Sequence, residues 1–244
     1  IRELYRIGRG PSSSHTMGPS RAATQFRKRT PAAASYRVHL FGRLALTGRW
    51  HMTDIAVQDA LAPLPVEIIW QPQIELPFHP NGMWFEALNA EAHVLERWEV
   101  FSVGGGALKE AGQTMQANTV YPMGKMQDIL DYCLQSGKSF WEYVEECEGP
   151  EIWDYLAEIW QAMQDTIERG LHAEGVLPGG LGIPRKAWSL ERQISMRVQT
   201  FFSEGYLPAY ALAVSEENAS AGIVVTAPTC GSSGVLPAVL KHVS

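Results

Sequence analysis

The residues best suited to chemistry lie in one short run near the N-terminus. Three serines, a histidine and a threonine are consecutive from Ser12 to Thr16, between Gly10-Pro11 and Gly18-Pro19. Such groups are costly to bury alone, so we expect them to be exposed, paired or gathered around a ligand. The helix-favouring stretch 20–29 places the run in a loop at a helix N-terminus, where free N–H groups favour an anion. The alternative is a flexible serine linker or a helix cap, but a linker does not need His15.

Two further clusters combine polar side chains with turn-forming residues. His79 and Asn81 lie in a Pro- and Gly-containing turn, which suits either substrate contact and a helper acid or a plain hairpin turn. Ser102 is followed closely by Gly104 and Gly105, which could lend a hydroxyl and bare N–H groups to a ligand. The alternative is a tight bend at the end of a strand.

His51 and the three cysteines are weaker candidates. His51 precedes Thr53-Asp54, and Asp54 as a helix cap accounts for most of that pattern. Cys230 lies in a Gly/Ser-rich loop at a helix start, where a thiol pKa can be lowered, but a small core residue is the simpler interpretation. Cys133 and Cys147 lie in helical stretches without metal-ligand spacing, which indicates structural roles.

The elements that must position these residues change character along the chain. Alternation predicts strands at 36–42 and 66–70, a hairpin of 83–88 with 93–103, and a short helix over 55–61. Beyond residue 121 the spacing of apolar residues is helical. The predicted helices are 126–134, 140–146, 152–171, 188–202, 209–218 and 235–240. The fold class is therefore α+β for about half of the chain, followed by a mostly helical part.

Composition excludes several classes of protein. The 244 residues are 45% hydrophobic and 19% charged, which is typical of a globular chain of one or two domains. The net charge of −6 gives no electrostatic case for nucleic acid, and no apolar run approaches the ~20 residues of a membrane span. Three scattered cysteines form no disulfide framework, and the first residues lack a signal-peptide pattern. We therefore expect a cytoplasmic protein with no nucleic-acid or membrane partner.

Six segments, in order along essentially the whole chain, resemble the single-chain, iron–sulfur-dependent L-serine dehydratases (L-serine ammonia-lyases). They are GPSSSHTMGP (10–19), TGRWHMTD (47–54), HPNGM (79–83), SVGGG (102–106), LPGGL (177–181) and TAPTCGSSGVLPAVL (226–240). Each segment is only modestly specific, whereas six in the family's order are a strong signal.

The resemblance implies a fold and an activity. It implies an N-terminal α/β substrate-binding-type domain over 1–121, similar to a small-molecule-binding domain of phosphoglycerate dehydrogenase. Residues 122–244 would be the N-terminal part of an all-α catalytic domain. The implied reaction converts L-serine to pyruvate and ammonia, a carbon–nitrogen lyase reaction of amino-acid catabolism and gluconeogenesis, in a cytoplasmic homodimer. The implied cofactor is a 4Fe-4S cluster, which acts as Lewis acid on the substrate.

For this chemistry His15 is the first candidate for the general base, because the pKa of histidine lies near neutrality. The alternative is that His15 only orients or caps the turn. Ser14 and Thr16 are placed with His15 in the catalytic group. Ser12, Ser14 and Thr16 would hold the substrate carboxylate with the help of backbone N–H groups, and Ser13 is a further substrate-binding candidate. The other substrate-binding candidates are His79, Asn81, Ser102, Gly104 and Gly105.

Three features depart from the family pattern. Trp50 stands where glycine is usual, and Cys230 stands where asparagine is usual. The cysteines that hold the family's cluster would lie beyond Ser244, so we expect no metal ligand within this sequence.

Two other functions stay open from the residues. The first is a non-catalytic amino-acid-binding or regulatory module. The second is a pyridoxal-phosphate-dependent dehydratase, because Gly231-Ser232-Ser233-Gly234 resembles a phosphate cradle, although no lysine lies in an obvious Schiff-base motif. A serine hydrolase built on Ser14 and His15 is excluded, since adjacent loop residues rarely form a nucleophile–base pair and G-x-S-x-G is absent.

Overall fold

Strands and helices alternate in the N-terminal half of the computed structural model, which describes residues 1–112, 120–197 and 206–244. The first strand, β1 (Ile7–Arg9), lies apart from the five that follow. These are β2 (Ser35–Phe41), β3 (Val66–Gln71), β4 (Gly82–Leu88), β5 (Val94–Gly104) and β6 (Ala107–Lys109). They form one sheet in the order β3-β2-β4-β5-β6, with β2 parallel to β3 and the other neighbours antiparallel. The predicted strands and hairpin are confirmed to within two residues, whereas β6 was not predicted.

Helices cover one face of this sheet. They are α1 (Gly18–Arg29), α2 (Gly42–Thr47) and α3 (Thr53–Leu61), and α2 and α3 supply the crossover that the parallel β2–β3 pair requires. Because side chains alternate along a strand, Val38 and Leu40 of β2 point into the core, where Phe26 of α1 meets them. This burial fixes how α1 lies on the sheet.

The start of α3 differs from the prediction. A 3₁₀ turn, Gly48–His51, ends at Met52, whose φ of 54° is left-handed, and α3 begins at Thr53. Met52 is the N-cap residue and provides no side-chain hydrogen bond, while Asp54 lies inside the first turn. The prediction of Asp54 as the cap was therefore wrong, because the left-handed Met52 makes the break.

The C-terminal half is mostly helical. Its helices are α4 (Met126–Ser136), α5 (Phe140–Glu148), α6 (Ile152–His172), α7 (Ala187–Arg197), α8 (Tyr206–Ala219) and α9 (Val235–Val243). Ile159, Met163 and Ile167 of α6 are buried on one stripe, as their spacing predicted. A methyl group added at Gly170 would lie 2.3 Å from the carbonyl oxygen of Ala213, so α6 and α8 cross closely. Beyond Arg197, the predicted helix 188–202 falls outside the described residues.

A short second sheet joins the two ends of the chain. Strand β7 (Ile223–Val225) runs antiparallel to β1, with Ile7 opposite Val225 and Arg9 opposite Ile223. Thr226 extends the pairing, since its N–H donates to the carbonyl of Arg6 and its hydroxyl accepts from the N–H of Arg6. The residues just before the serine run are thus held by the C-terminal half.

The architecture agrees with the predicted α+β class, since helices and two sheets occur together in the described residues. Within the same residues, every helix is too short or too polar to cross a bilayer.

Candidate active site

The serine–histidine run is helical, which corrects the prediction of a loop. Ser13–Met17 form a π-helical turn that passes directly into α1, and Ser12 is its N-cap. The Ser12 hydroxyl accepts a hydrogen bond from the N–H of His15 at 3.1 Å, and the Ser12 carbonyl accepts from the N–H groups of Thr16 and Met17. The run supplies its own cap, so helical structure begins about seven residues before Ser20.

Two threonines clasp this turn to the 3₁₀ turn Gly48–His51. The hydroxyl of Thr16 donates to the carbonyl oxygen of His51 at 2.6 Å. The hydroxyl of Thr53 donates to the carbonyl oxygen of His15 at 2.5 Å. Both threonines are fully buried, so the bonds are shielded from water. The clasp fixes the backbones of both histidines.

The two imidazole rings consequently lie against each other. The centroids of His15 and His51 are 4.8 Å apart, with the rings tilted by 38°. Nδ1 of His51 is 2.9 Å from the carbonyl oxygen of Thr47. Because a carbonyl can only accept, Nδ1 carries the proton in the neutral ring, and Nε2 of His51 keeps its lone pair.

His15 has a different environment. Its Nδ1 is 2.9 Å from the hydroxyl of Ser14, whose oxygen is 3.5 Å from that of Ser12. Its Nε2 is buried and has no hydrogen-bond partner among the described residues. Burial lowers the pKa of His15, the neighbouring His51 lowers it further, and the backbone of Arg43 acts in the opposite direction. The neutral imidazole, the form able to accept a proton, is therefore favoured.

Asn81 and Ser102 form a second buried polar pair. The side-chain N–H of Asn81 donates to the carbonyl of Ser102 at 3.3 Å, and the N–H of Ser102 donates to the carbonyl of Asn81 at 3.0 Å. Asn81 Oδ1 and Ser102 Oγ are buried and have no partner in the described part of the chain. Ser102 lies against the start of α1, because a methyl group added at Gly18 would come within 2.2 Å of its Oγ.

His79 adjoins this pair. Its Nδ1 accepts a hydrogen bond from the N–H of Asn81 at 3.1 Å. Burial lowers the pKa of His79, and the positive charge of Arg43 lowers it further. Arg43, at the start of α2, therefore influences both His15 and His79, so the predicted residues 12–16 and 79–81 border a common region. Sequence patterns did not single out Arg43.

The glycines after Ser102 are conformationally necessary. Gly104 and Gly105 have φ values of +106° and +56°, a region that side chains rarely adopt. The carbonyl of Gly105 accepts a hydrogen bond from Arg6. The structure thus gives these glycines a backbone-shaping role, and their predicted N–H contacts with substrate stay a prediction.

The described residues do not offer a site for an iron–sulfur cluster. They contain no group of three or more His, Cys, Asp or Glu side chains placed to hold a metal ion. Cys230 packs with Met17, Val214 and Val224, and its burial raises its pKa to about 12, so it is a neutral thiol in the core. Cluster ligands are thiolates, which this environment disfavours.

The sequence patterns pointed only weakly to His51. Its partnership with His15 depends on two turns that are distant in sequence and meet only in the folded protein. The one available signal was that His51 lies in TGRWHMTD, which was among the six matching segments.

Comparisons with known proteins identify the family of the chain. The family described as "Serine dehydratase beta chain" matches residues 1–67, and the family described as "Serine dehydratase alpha chain" matches residues 86–244. The chain is 34% identical to "L-serine dehydratase" of Haemophilus influenzae and to "L-serine dehydratase 1" of Escherichia coli (strain K12), each match covering 98% of this chain and 65% of the relative. It is 35% identical to "L-serine dehydratase" of Mycobacterium tuberculosis, over 98% of this chain and 64% of that protein.

The chain thus spans about 65% of the length of these relatives. The alpha-chain match alone covers well over half of the 244 residues. The beta-chain match includes both turns of the site, Ser13–Met17 and Gly48–His51. On this evidence the chain belongs to the serine dehydratase family.

Proposed function

We propose that the protein deaminates L-serine to pyruvate and ammonia as a carbon–nitrogen lyase. The observation that carries the proposal is the clasped pair of His15 and His51, whose imidazoles lie together beside a run of hydroxyl groups. The relatives named L-serine dehydratase support the choice of substrate.

Loss of water from serine requires removal of the Cα proton, which a neutral imidazole can accept. His15 is the base that the sequence predicts, and its lowered pKa keeps it neutral. His51 is a second candidate, because its Nδ1–H is engaged by Thr47 and its Nε2 has a free lone pair. The buried Nε2 of His15 needs a small rearrangement to reach a substrate, whereas His51 is half-exposed.

Hydroxyl groups beside the histidines would bind the substrate carboxylate. The hydroxyls of Ser12 and Ser14 form a chain that ends on His15 Nδ1, so carboxylate binding and the state of the imidazole are linked. Asn81 Oδ1 and Ser102 Oγ are buried and unpartnered among the described residues, which fits groups that wait for a polar ligand. Ser13 and Thr16 support the turn from within the core.

The wider organisation forms part of the same proposal. It comprises an α/β substrate-binding-type domain over 1–121, an all-α catalytic part over 122–244, a cytoplasmic location and a homodimer. The described residues do not fit a 4Fe-4S cluster, and its cysteine ligands would lie beyond Ser244. The departure of hydroxide is therefore not assigned to any residue of this chain.

The test is anaerobic pyruvate production from L-serine by the complete enzyme, with His15→Ala and His51→Ala variants. General-base catalysis contributes roughly 10²–10⁴-fold, so replacing the base should reduce kcat by that range. His172→Ala is the matched control, because His172 is exposed on α6. Absence of pyruvate in the wild type would overturn the proposed activity. Normal kcat in both histidine variants would remove the pair from the mechanism.

The two alternative functions predict different results. A non-catalytic amino-acid-binding module would bind L-serine in calorimetry and produce no pyruvate. A pyridoxal-phosphate enzyme would show an aldimine absorbance band that borohydride abolishes, together with activity that is independent of iron.

A further inference from the structure

Two arginines converge on the triple-glycine turn. Nη1 of Arg6 donates to the carbonyl oxygen of Gly105, and Nη1 of Arg21 donates to the carbonyl oxygen of Gly106, each at 2.5 Å. Both arginines are thus bound to one turn, and the positive charge of Arg21 acts on Arg6 by lowering its pKa. Arg6 comes from the segment before β1, and Arg21 comes from the first turns of α1.

The turn fixes this convergence. Gly105 and Gly106 have φ values of +56° and +77°, so a side chain at either position would strain the backbone. An added methyl group at Gly105 would lie 3.1 Å from Arg6 Nη1, and one at Gly106 would lie 3.1 Å from Met17 Sδ. The turn therefore fixes the positions of the two carbonyl oxygens that bind the arginines.

Neither arginine has a carboxylate within ion-pair distance in the part of the chain that the structure describes. Within residues 1–112, 120–197 and 206–244, neither Arg6 nor Arg21 forms an ion pair, whereas Arg9 pairs with Asp59 and Arg185 with Glu217. Burial and the charge of Arg21 lower the pKa of Arg6, and smaller effects of Glu3 and Tyr155 oppose that change. Two like charges are thus held together, which costs free energy unless an anion joins them.

Both arginines have unused N–H donors, and Arg21 is accessible to solvent. A guanidinium carries five N–H donors, and each arginine uses one of them in the described structure. Arg21 is exposed and borders an open cavity of about 520 Å³, whose lining includes Gly8, Met17 and Ser20. A small anion can therefore reach Arg21 from this cavity, whereas Arg6 does not line it and is half-buried beside the carbonyl of Gly105.

We propose that Arg6 and Arg21 form a binding site for a small oxyanion with two negative charges, such as inorganic phosphate or a phosphate-bearing metabolite. Two guanidinium forks match two charges and several acceptor oxygens, a geometry that arginine provides better than lysine. The site lies on the carbonyl side of the turn that follows Ser102, and its assignment does not depend on the proposed serine chemistry.

The test is isothermal titration calorimetry of the complete protein with inorganic phosphate, at slightly alkaline pH and constant ionic strength. The wild type should bind one phosphate. Arg21→Gln and Arg6→Gln should each weaken binding at least about tenfold, because each removes a charge-assisted interaction. Arg9→Gln is the control, since Arg9 lines the same cavity but already pairs with Asp59. Far-UV circular dichroism checks the fold, and the exposed Arg21 gives a variant that should fold even if Arg6→Gln does not.

Each result of the titrations supports or contradicts the proposed Arg6–Arg21 site. Phosphate binding that is lost in Arg21→Gln and kept in Arg9→Gln supports it. Absence of phosphate binding by the wild type, or equal binding by Arg21→Gln, overturns it. Acetate serves as a singly charged probe, and acetate binding as tight as that of phosphate would contradict the two-charge assignment. A phosphomonoester that binds as tightly as phosphate would identify a metabolite, and not only the free ion, as a possible source of the anion.

Discussion

The hydroxyl of Thr53 donates a hydrogen bond to the carbonyl oxygen of His15, and the hydroxyl of Thr16 donates in return to the carbonyl oxygen of His51. Each threonine thus holds the backbone of the other turn's histidine. The exchange crosses 35 to 38 residues of sequence. It explains how two turns at the ends of different helices keep two imidazoles in contact without any direct bond between the rings.

The clasp predicts that two conservative substitutions of Thr53 change the free energy of unfolding by different amounts. Thr53→Val removes the hydroxyl and leaves the buried carbonyl of His15 without this partner, which should lower the free energy of unfolding by about 1–3 kcal/mol. Thr53→Ser keeps the donor and should lose less. Urea unfolding measures both changes. Equal stability of Thr53→Val and wild type would show that the hydrogen bond contributes nothing.

Stability should fall on mild acidification because of His15 and His79. Both have a pKa below the ordinary value of histidine, since burial disfavours their charged forms. Above about pH 6.5 both are neutral in the folded and unfolded chains, and their contribution is complete. As the pH falls below about 6.5, the unfolded chain takes up protons first, so stability is lost until the folded-state pKa is passed.

Unfolding free energies from about pH 8 to about pH 5 test this expectation. His15→Gln should flatten the pH dependence, because it removes one of the two titrations. His172→Gln, at an exposed position, is the comparison variant. A His15→Gln variant with the wild-type pH dependence would contradict the assignment.

Close packing between Gly18 and Ser102 gives a steric prediction. The Cβ of Gly18→Ala would lie 2.2 Å from Ser102 Oγ and 3.0 Å from its Cβ, so the start of α1 must move. Overpacking of this kind costs typically about 1–3 kcal/mol of stability. Gly18→Ala should also reduce the proposed deamination of L-serine, because it displaces the adjacent serine run.

The control for Gly18→Ala is Gly180→Ala, because an added methyl group there meets nothing within 4 Å. Thermal unfolding of both variants provides the comparison. Adding Ser102→Gly to Gly18→Ala should recover part of the loss, measured against Ser102→Gly alone. No recovery would show that the clash lies elsewhere.

Cysteine reactivity should follow burial. Cys230 has a pKa raised to about 12, and Cys133 is also buried, whereas Cys147 is half-buried. Because the thiolate is the reactive form, an alkylating reagent in the native state should label Cys147 first. Peptide mass spectrometry over time measures the order. Early labelling of Cys230 would mean that its loop opens readily.

Much of the fold follows from local patterns. Strand β2 was predicted because Tyr36, Val38 and Leu40 alternate with polar residues, and the structure buries all three. Helix α6 was predicted from the spacing of Ile159, Met163 and Ile167, which pack on one side. In these elements one buried face determines the conformation, so periodicity is sufficient.

The features that sequence patterns missed depend on distant partners. The three-residue strand β1 exists because Ile7 pairs with Val225. Although Ile223–Val225 is β-branched, three residues on each side are too few for a pattern that predicts a strand. The π-helical turn at Ser13–Met17 depends on the cap at Ser12 and on bonds to the turn with His51. Motifs were sufficient to name candidate site residues, but the contact of His15 with His51 could not be predicted from them.

The pairing of β1 with β7 has a consequence for biosynthesis. A ribosome releases Ile7–Arg9 more than 200 residues before Ile223–Val225. The sheet of the N-terminal half can assemble on the nascent chain well before that, since its strands are close in sequence. Strand β1, which leads into the serine run, cannot pair at that stage. It must wait, unpaired, for the strand that completes it. A protein stalled in synthesis before Ile223 could form the threonine clasp, but the segment on the N-terminal side of the serine run would lack its partner strand.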